Sequence, residues 1–335
     1  MDKILLSHGG GGEEMNKLIN EIIFKAFENE ILSDANDSAI LPNFGSDMAF
    51  STDSFVVTPL FFSGGDIGKI AVCGTVNDLS MVGAKPLYLS CSFIIEEGFE
   101  LSKLKEILNS MAKTAKQSGI KIVCGDTKVV PRGKCDKIFI NTAGIGQILA
   151  KDIEVKNIKK GSKILLSGDV GRHGSVILAA RDEIALESEL KSDCKPLNLV
   201  VEEVLKNGIK PQCMRDATRG GLSAVLNEFA SVSKCEILVF EEKIKVCDEV
   251  VGVCELLGFE PYELANEGTF VLVVDEDKAD SCLEILRKFD ESANIIGEVL
   301  GEVTGGDTAR VILENAYGSQ RVLELPKGEL LPRIC

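Results

Sequence analysis

Apolar positions recur along the chain at two spacings, and their alternation predicts helices mixed with strands in both halves. Ile4-Leu5-Leu6 reads as a short strand, and Met15, Leu18, Ile19, Ile22, Ile23 and Ala26 then fall at helical spacing. Residues 38–62 carry β-rich runs at 38–41, 48–50 and 55–58, broken by Pro42-Asn43 and by Thr52-Asp53-Ser54. A helix is predicted from about residue 66 to Gly83 with Ile67, Ile70, Ala71 and Gly74 on one face. A second places Leu101, Leu104, Leu108, Met111 and Ala115 on one face and stops at Gly119. Strands are predicted at 120–124 and 138–148. Beyond a polar run at 151–160 come a strand at 164–166, helices near 176–180 and 199–206, and a charged stretch between them read as mobile. A helix led by Leu222, Val225, Leu226 and Phe229 and strands at 269–274, 295–299, 309–313 and 321–325 complete the pattern.

A chain of 335 residues exceeds one ordinary core, so two domains are expected. The boundaries read as 1–157 for the first domain, 158–325 for the second and 326–335 for a mobile tail. With 37 basic and 52 acidic residues the formal charge is −15, which argues against nucleic acid and anionic membranes as partners. A nucleotide can still bind through backbone amides and a divalent metal. There is no signal-peptide pattern and no apolar run long enough for a membrane span, so a cytoplasmic location is expected. The eleven cysteines form no C-x-x-C pair, and most lie in apolar patterns, as small buried hydrophobes do in a reducing compartment. Only Cys335 falls outside any core pattern.

Chemistry-bearing residues gather where elements begin and end. Gly9, Gly10, Gly11 and Gly12 precede the first helix and serve either as a linker or as a phosphate cover, with Glu13 and Glu14 opposing a bare phosphate. Asp47 and Asp53 sit at predicted strand edges, where turn chemistry alone also places aspartate. Asp78, preceded by Asn77, continues the stripe of its helix. Buried there it needs a partner or a metal; just past the stripe it is a surface acid. Gly125-Asp126-Thr127-Lys128 is expected at the C-terminal end of a strand, where sites form in α/β sheets, although Asp126 beside Lys128 is equally a solvated pair. Cys213-Met214-Arg215-Asp216-Ala217-Thr218-Arg219-Gly220-Gly221 leads into a helix and makes an anion or metal-phosphate site. Glu267 before its strand is a general base or a turn residue. The closing Pro332-Arg333-Ile334-Cys335 suits either a swinging arm or a frayed end. An α-carboxylate beside the thiol raises its pKa, so activation has to come from a site the tail visits. Spacing alone predicts an α+β enzyme with an acidic, metal-dependent site.

Together, His8-Gly9-Gly10-Gly11-Gly12, the run from Gly45 to Phe55, Gly64-Gly65-Asp66-Ile67-Gly68-Lys69, Asn77-Asp78-Leu79, Gly125 to Val130, Arg215 to Gly221 and the closing tetrapeptide resemble the HypE family, the carbamoyl dehydratases of nickel–iron hydrogenase maturation. The resemblance runs in order from residue 8 to residue 335. It implies the aminoimidazole-ribonucleotide-synthetase-like (PurM) fold, α+β in class. In that fold, the sheets of the N-terminal domains join across a homodimer in a barrel-like arrangement that encloses ATP sites, and the C-terminal domain is an α+β sandwich. ATP and Mg2+ are the implied cofactors. Gly9 to Gly12, Asp47, Asp53, Asp78, Asp126, Thr127, Arg215 and Asp216 match the nucleotide-binding positions, with Asp47, Asp78 and Asp216 as metal ligands. Cys335, Lys128 and Glu267 match the catalytic ones.

The implied reaction is ATP-dependent dehydration of an S-carboxamide on Cys335 to a thiocyanate, which supplies cyanide for the hydrogenase iron. The implied partners are a HypF-type carbamoyltransferase and a HypC–HypD scaffold. Selenophosphate synthetases share the fold but carry their reactive residue near the glycine loop, which has none here. A non-catalytic scaffold is the reading of another class, and the aspartates at element ends argue against it.

Overall fold

The computed structural model describes residues 3–9, 13–33, 41, 43–181, 189–303, 309–326 and 333–335. The first half is organised on a four-stranded sheet of β1 (Met48–Phe55), β2 (Ala84–Glu96), β3 (Lys121–Val130) and β4 (Ile138–Ile148), in the order β1-β4-β2-β3. Only the β2 and β3 pair is parallel. Two helices, α1 (Ile67–Met81) and α2 (Leu101–Ser118), cover one face of this sheet. Asp66 caps α1 by accepting from Gly68 N and Lys69 N at 2.7 and 3.1 Å. Helix α1 lies so close to β1 that a β-carbon on Gly74 would sit 2.9 Å from the Phe55 ring. Helix α2 follows its predicted stripe and stops at Gly119, whose φ of 69° gives the left-handed cap.

The second half is a seven-stranded sheet of β5 (Lys163–Leu166), β6 (Cys213–Asp216), β7 (Cys235–Phe240), β8 (Phe270–Val274), β9 (Asn294–Glu302), β10 (Val311–Glu314) and β11 (Gln320–Val322). Its order is β11-β10-β7-β9-β5-β8-β6, antiparallel except where β10 meets β7. Helices α3 (Arg172–Ala179), α4 (Asn198–Lys206), α5 (Gly221–Ser233), α6 (Asp248–Leu257) and α7 (Glu276–Leu286) accompany it. The strand β8 is buried at every position, as expected of a run of Phe270-Val271-Leu272-Val273-Val274 covered on both faces. Among the described residues no helix is long and apolar enough to cross a membrane.

Several local expectations change. The first strand is not formed: Lys3 makes an isolated bridge with Glu100, and Leu6–Gly9 is a 3-10 turn. Thr52-Asp53-Ser54 does not break β1, which runs unbroken because β4 pairs with it from Met48 to Phe55. Likewise β3 continues through Gly125-Asp126-Thr127-Lys128, held in register by β2. Cys213–Asp216, read only as the lead into a helix, forms a strand of its own. The expected strand at 38–41 falls almost wholly outside the described residues. So does the middle of the charged stretch, whose end packs inward with Leu190 and Cys194 buried.

Candidate active site

The last residues of the sequence lie in the interior. Ile334 and Cys335 are 4% and 5% exposed and join a hydrophobic cluster that also takes in Phe55, Cys73, Ile177, Cys194 and Ala265, so both halves of the chain surround them. Three successive carbonyls of the tail have partners. Arg333 O accepts from Thr58 N at 3.2 Å and Cys335 O from Val56 N at 3.0 Å. Ile334 O accepts from His173 Nε2 at 2.8 Å. The Arg333 side chain donates to Val56 O at 2.8 Å, pairs with Asp136 at 2.5 Å and lies 5.8 Å from the Phe139 ring centre. The one cysteine that the sequence pattern sets apart from any core is thus packed in it.

Around the thiol stand one cation and two acids. Arg219 Nε donates to Cys335 Sγ at 3.0 Å. Burial, and after it the charges of Glu267 and Asp53, pushes the Cys335 thiol up to about 12, against the pull of Arg219. Arg219 is brought here by Gly220 and Gly221. Both take positive φ, and a β-carbon on Gly221 would lie 2.5 Å from Tyr262 O, so the turn into α5 requires glycine. Glu267 is 3% exposed and its segment is clamped on both sides. Asp193 accepts from Glu267 N and Gly268 N, the latter at 2.8 Å. Asn266 accepts from Gly171 N and donates to Ala217 O at 2.9 Å. Burial first, then the charges of Cys194, Asp193, Asp216 and Asp53, holds the Glu267 carboxyl well above the usual range.

Two further acids extend the cluster. Asp216, at the end of β6, is raised to about 7 by burial and then by Asp78 and Asp53. Asp78 is raised chiefly by burial and lowered by Ser51 Oγ, which donates to it at 2.8 Å. Its neighbour Asn77 is buried and ties the halves together, accepting from Leu197 N at 2.8 Å and donating to Lys195 O at 3.3 Å. Asp78, Asp216, Arg215 and Ser51 line a cleft of about 560 Å³ between β1 and the second sheet. Arg215 opposes the rise of both acids and is itself paired with Glu228.

The remaining predicted residues lie elsewhere in the chain. Asp47 opens β1 and pairs with Lys151, six residues from Asp53 and hence about 20 Å along the strand. Asp126 and Lys128 pair with each other at 2.6 Å, both exposed. They align with Ser92 and Ile94 of β2, on the sheet face opposite the buried Cys91, Phe93 and Ile95. Three strand spacings, about 14 Å, separate β3 from β1. Thr127 is buried beside an apolar cavity of about 90 Å³. Gly9 ends the 3-10 turn, and Gly10, Gly11 and Gly12 lie outside the described residues. Arg219 falls within the stretch that the sequence marks as an anion or metal-phosphate site, whereas His173, Ser192 and Asp193 carry no such mark. The Arg-Gly-Gly step was the available signal for Arg219, whereas His173 and Ser192 meet the tail only through long-range packing.

Family models described as AIR synthase related protein, N-terminal domain and C-terminal domain, match residues 35–148 and 159–309. Carbamoyl dehydratase HypE of Escherichia coli K12 is 45% identical to the chain over 343 aligned positions, covering all of both. A crystal structure of hydrogenase maturation protein HypE in complex with ATP superposes with a TM-score of 0.94 at 42% identity, covering 99% of each chain. The HypE chain of a HypE–HypF complex matches with a TM-score of 0.78 at 46% identity, covering 92% of this chain and 99% of that one. With its two-domain PurM-like fold and similarity to HypE along its full length, the chain belongs to the HypE family of carbamoyl dehydratases.

Proposed function

We propose that this enzyme dehydrates an S-carboxamide carried on Cys335 to a thiocyanate at the expense of ATP, the cyano group then passing to the iron of a nickel–iron hydrogenase. One observation carries the reading: the thiol is seated 3.0 Å from a guanidinium nitrogen, with the buried Glu267 carboxyl raised by its side. Amide oxygen leaves poorly as hydroxide. In the proposed sequence the carboxamide oxygen attacks the γ-phosphorus, ADP departs and the nitrogen loses one proton. The C–O bond then breaks, phosphate leaves, and Glu267 takes the second N–H proton as the C≡N bond forms. Arg219, already against the sulfur, steadies the charge that gathers on the oxygen.

The cleft beside Asp78, Arg215 and Asp216 has the size of a nucleotide site. The upward shift of Asp216 and Asp78 by burial and by like charge is the demand a divalent cation answers. Asp78 and Asp216 would hold magnesium, which would supply countercharge to the nucleotide phosphates. Among the described residues no three acidic, histidine or cysteine side chains are grouped to hold a metal ion, so the nucleotide phosphates would have to supply the remaining ligands.

A homodimer belongs to the proposal. The sheet face opposite α1 and α2 exposes Phe50 at 70%, Ile94 at 44% and Met48 at 38%, an apolar patch that supports docking of a second copy. Lys128 and Asp126 share that face and reach nucleotide only from a partner copy, as does Asp47 in this reading. Residues 1–157 form the nucleotide-binding and dimerising unit, 158–325 the second domain and 326–335 the carrier tail, with Gly9 to Gly12 folding over the nucleotide. A HypF-type carbamoyltransferase loads the thiol and a HypC–HypD scaffold receives the cyano group, in the cytoplasm. The test is Glu267→Gln, with the carbamoylated protein followed by intact mass after ATP. The expected result is a loss of one water slowed by about 10²–10⁴ with nucleotide binding retained; full-rate water loss removes Glu267 as the base.

A further inference from the structure

We infer that His173 is a positioning residue that latches the carrier tail, holding the Ile334 carbonyl so that the Cys335 sulfur stays against Arg219. Thr58 N and Val56 N hold the carbonyls on either side, and those backbone groups are present whatever the side chains. The Ile334 carbonyl is held by a ring nitrogen, at 2.8 Å. Arg333 O also accepts from the Arg181 guanidinium, but at 3.4 Å, so His173 supplies the shorter side-chain hold on the tail carbonyls.

The neighbours fix the state of the ring. A carbonyl can only accept, so Nε2 carries the proton and Nδ1 has a free lone pair. Nδ1 lies 2.8 Å from Ser192 Oγ, which must donate to it, and Ser192 Oγ in turn accepts from Cys194 N at 3.1 Å. A directed chain therefore runs from Cys194 N–H through the Ser192 hydroxyl and the imidazole to the tail. The ring is 0% exposed and meets Phe62 edge-on at 5.3 Å. Burial holds His173 down at about 4, so it remains a neutral one-proton donor. With the tail withdrawn, its Nε2–H would be a buried donor without an acceptor, which favours return of the tail. The same segment positions Glu267: Asp193, between Ser192 and Cys194, accepts from Glu267 N and Gly268 N. Latch and base are thus registered to each other by three consecutive residues.

The latch deepens the dehydration reading and rests on it only for its effect on turnover, because tail docking can be read without ATP. The experiment measures alkylation of Cys335 by iodoacetamide, from the mass of the C-terminal peptide, alongside ATP-dependent water loss from carbamoylated protein. His173→Leu should speed alkylation by about 3- to 10-fold, as expected for one hydrogen bond, and slow water loss by a similar factor with the KM for ATP unchanged. His173→Gln, which restores an N–H near the Nε2 position, should bring both rates back toward the parent. Ser192→Ala, an independent variant should His173→Leu not fold, removes the donor that fixes the tautomer and should shift alkylation in the same direction. Alkylation at the parental rate in folded His173→Leu or Ser192→Ala overturns the latch. Faster alkylation in protein whose parent loses no water with ATP upholds the latch and overturns the dehydration reading.

Discussion

Acids in this protein stand in two opposite electrostatic settings. Asp126 lies on the exposed face of β3 with Lys128 at 2.6 Å, and that hydrogen bond holds its carboxyl below the usual range. Asp78, Asp216 and Glu267 lie where the two halves meet, and burial together with the charge of neighbouring carboxylates raises all three. A solvated pair is complete as it stands and contributes little to folding. A buried set of like charges is incomplete until a cation, a proton or a phosphate-bound metal joins it. The difference separates an acid whose charge is already answered by its own neighbour from acids whose charge is not, and their spacing in the sequence does not reveal it.

The most severe way to test the comparison is to remove the group that the buried set surrounds. Cys335→Ala should abolish the carbamoylated species and its dehydration product by mass, while circular dichroism and nucleotide binding match the parent. Product at any parental fraction would mean that the buried acids serve another carrier. Next, Arg219→Leu removes the cation at the sulfur and should slow ATP-dependent water loss by about 10²–10³; an unchanged rate would detach Arg219 from the chemistry.

Asp216 then sharpens the contrast through stability. Its folded value of about 7 lies above the ordinary 3.8, so between those limits the folded state holds the proton that the unfolded state has released. The associated stability is present in full below about 4 and is lost as pH rises through about 7. In nucleotide-free protein Asp216→Asn should therefore gain up to about 4 kcal/mol over the parent at pH 8, several degrees in Tm, and show no gain at pH 4. Smallest of all, Lys128→Met should leave Tm within about a degree of the parent; a large drop would show that the exposed pair is not the solvated one described.

The sequence was most readable where physics is local. Helix α2 repeats its apolar residues every three or four positions and stops at a glycine, and its observed span follows. The interior strand β2 was passed over although Leu89, Cys91, Phe93 and Ile95 alternate, because Lys85-Pro86 at its start breaks the pattern. Thr52-Asp53-Ser54 read as a turn because these residues favour turns, and pairing with β4 overrode that preference. Asp216 and Glu267 were legible as acids near glycine turns. Their electrostatic demand was not, since it comes from burial by segments distant in sequence. Arg219 meets Cys335 across 116 residues and His173 meets Ile334 across 161, and no periodicity encodes contacts of that range.

The docked thiol also sets a timetable. Thiolate, not thiol, is the nucleophile, and burial, by pushing Cys335 up to about 12, keeps the docked sulfur in its thiol form at neutral pH. The chamber that holds the sulfur therefore keeps it in its less nucleophilic form. If the proposed reaction holds, loading belongs to the withdrawn tail and dehydration to the docked one. Cargo acquisition and cargo processing would then be kept apart in time by the quarantine of one sulfur atom.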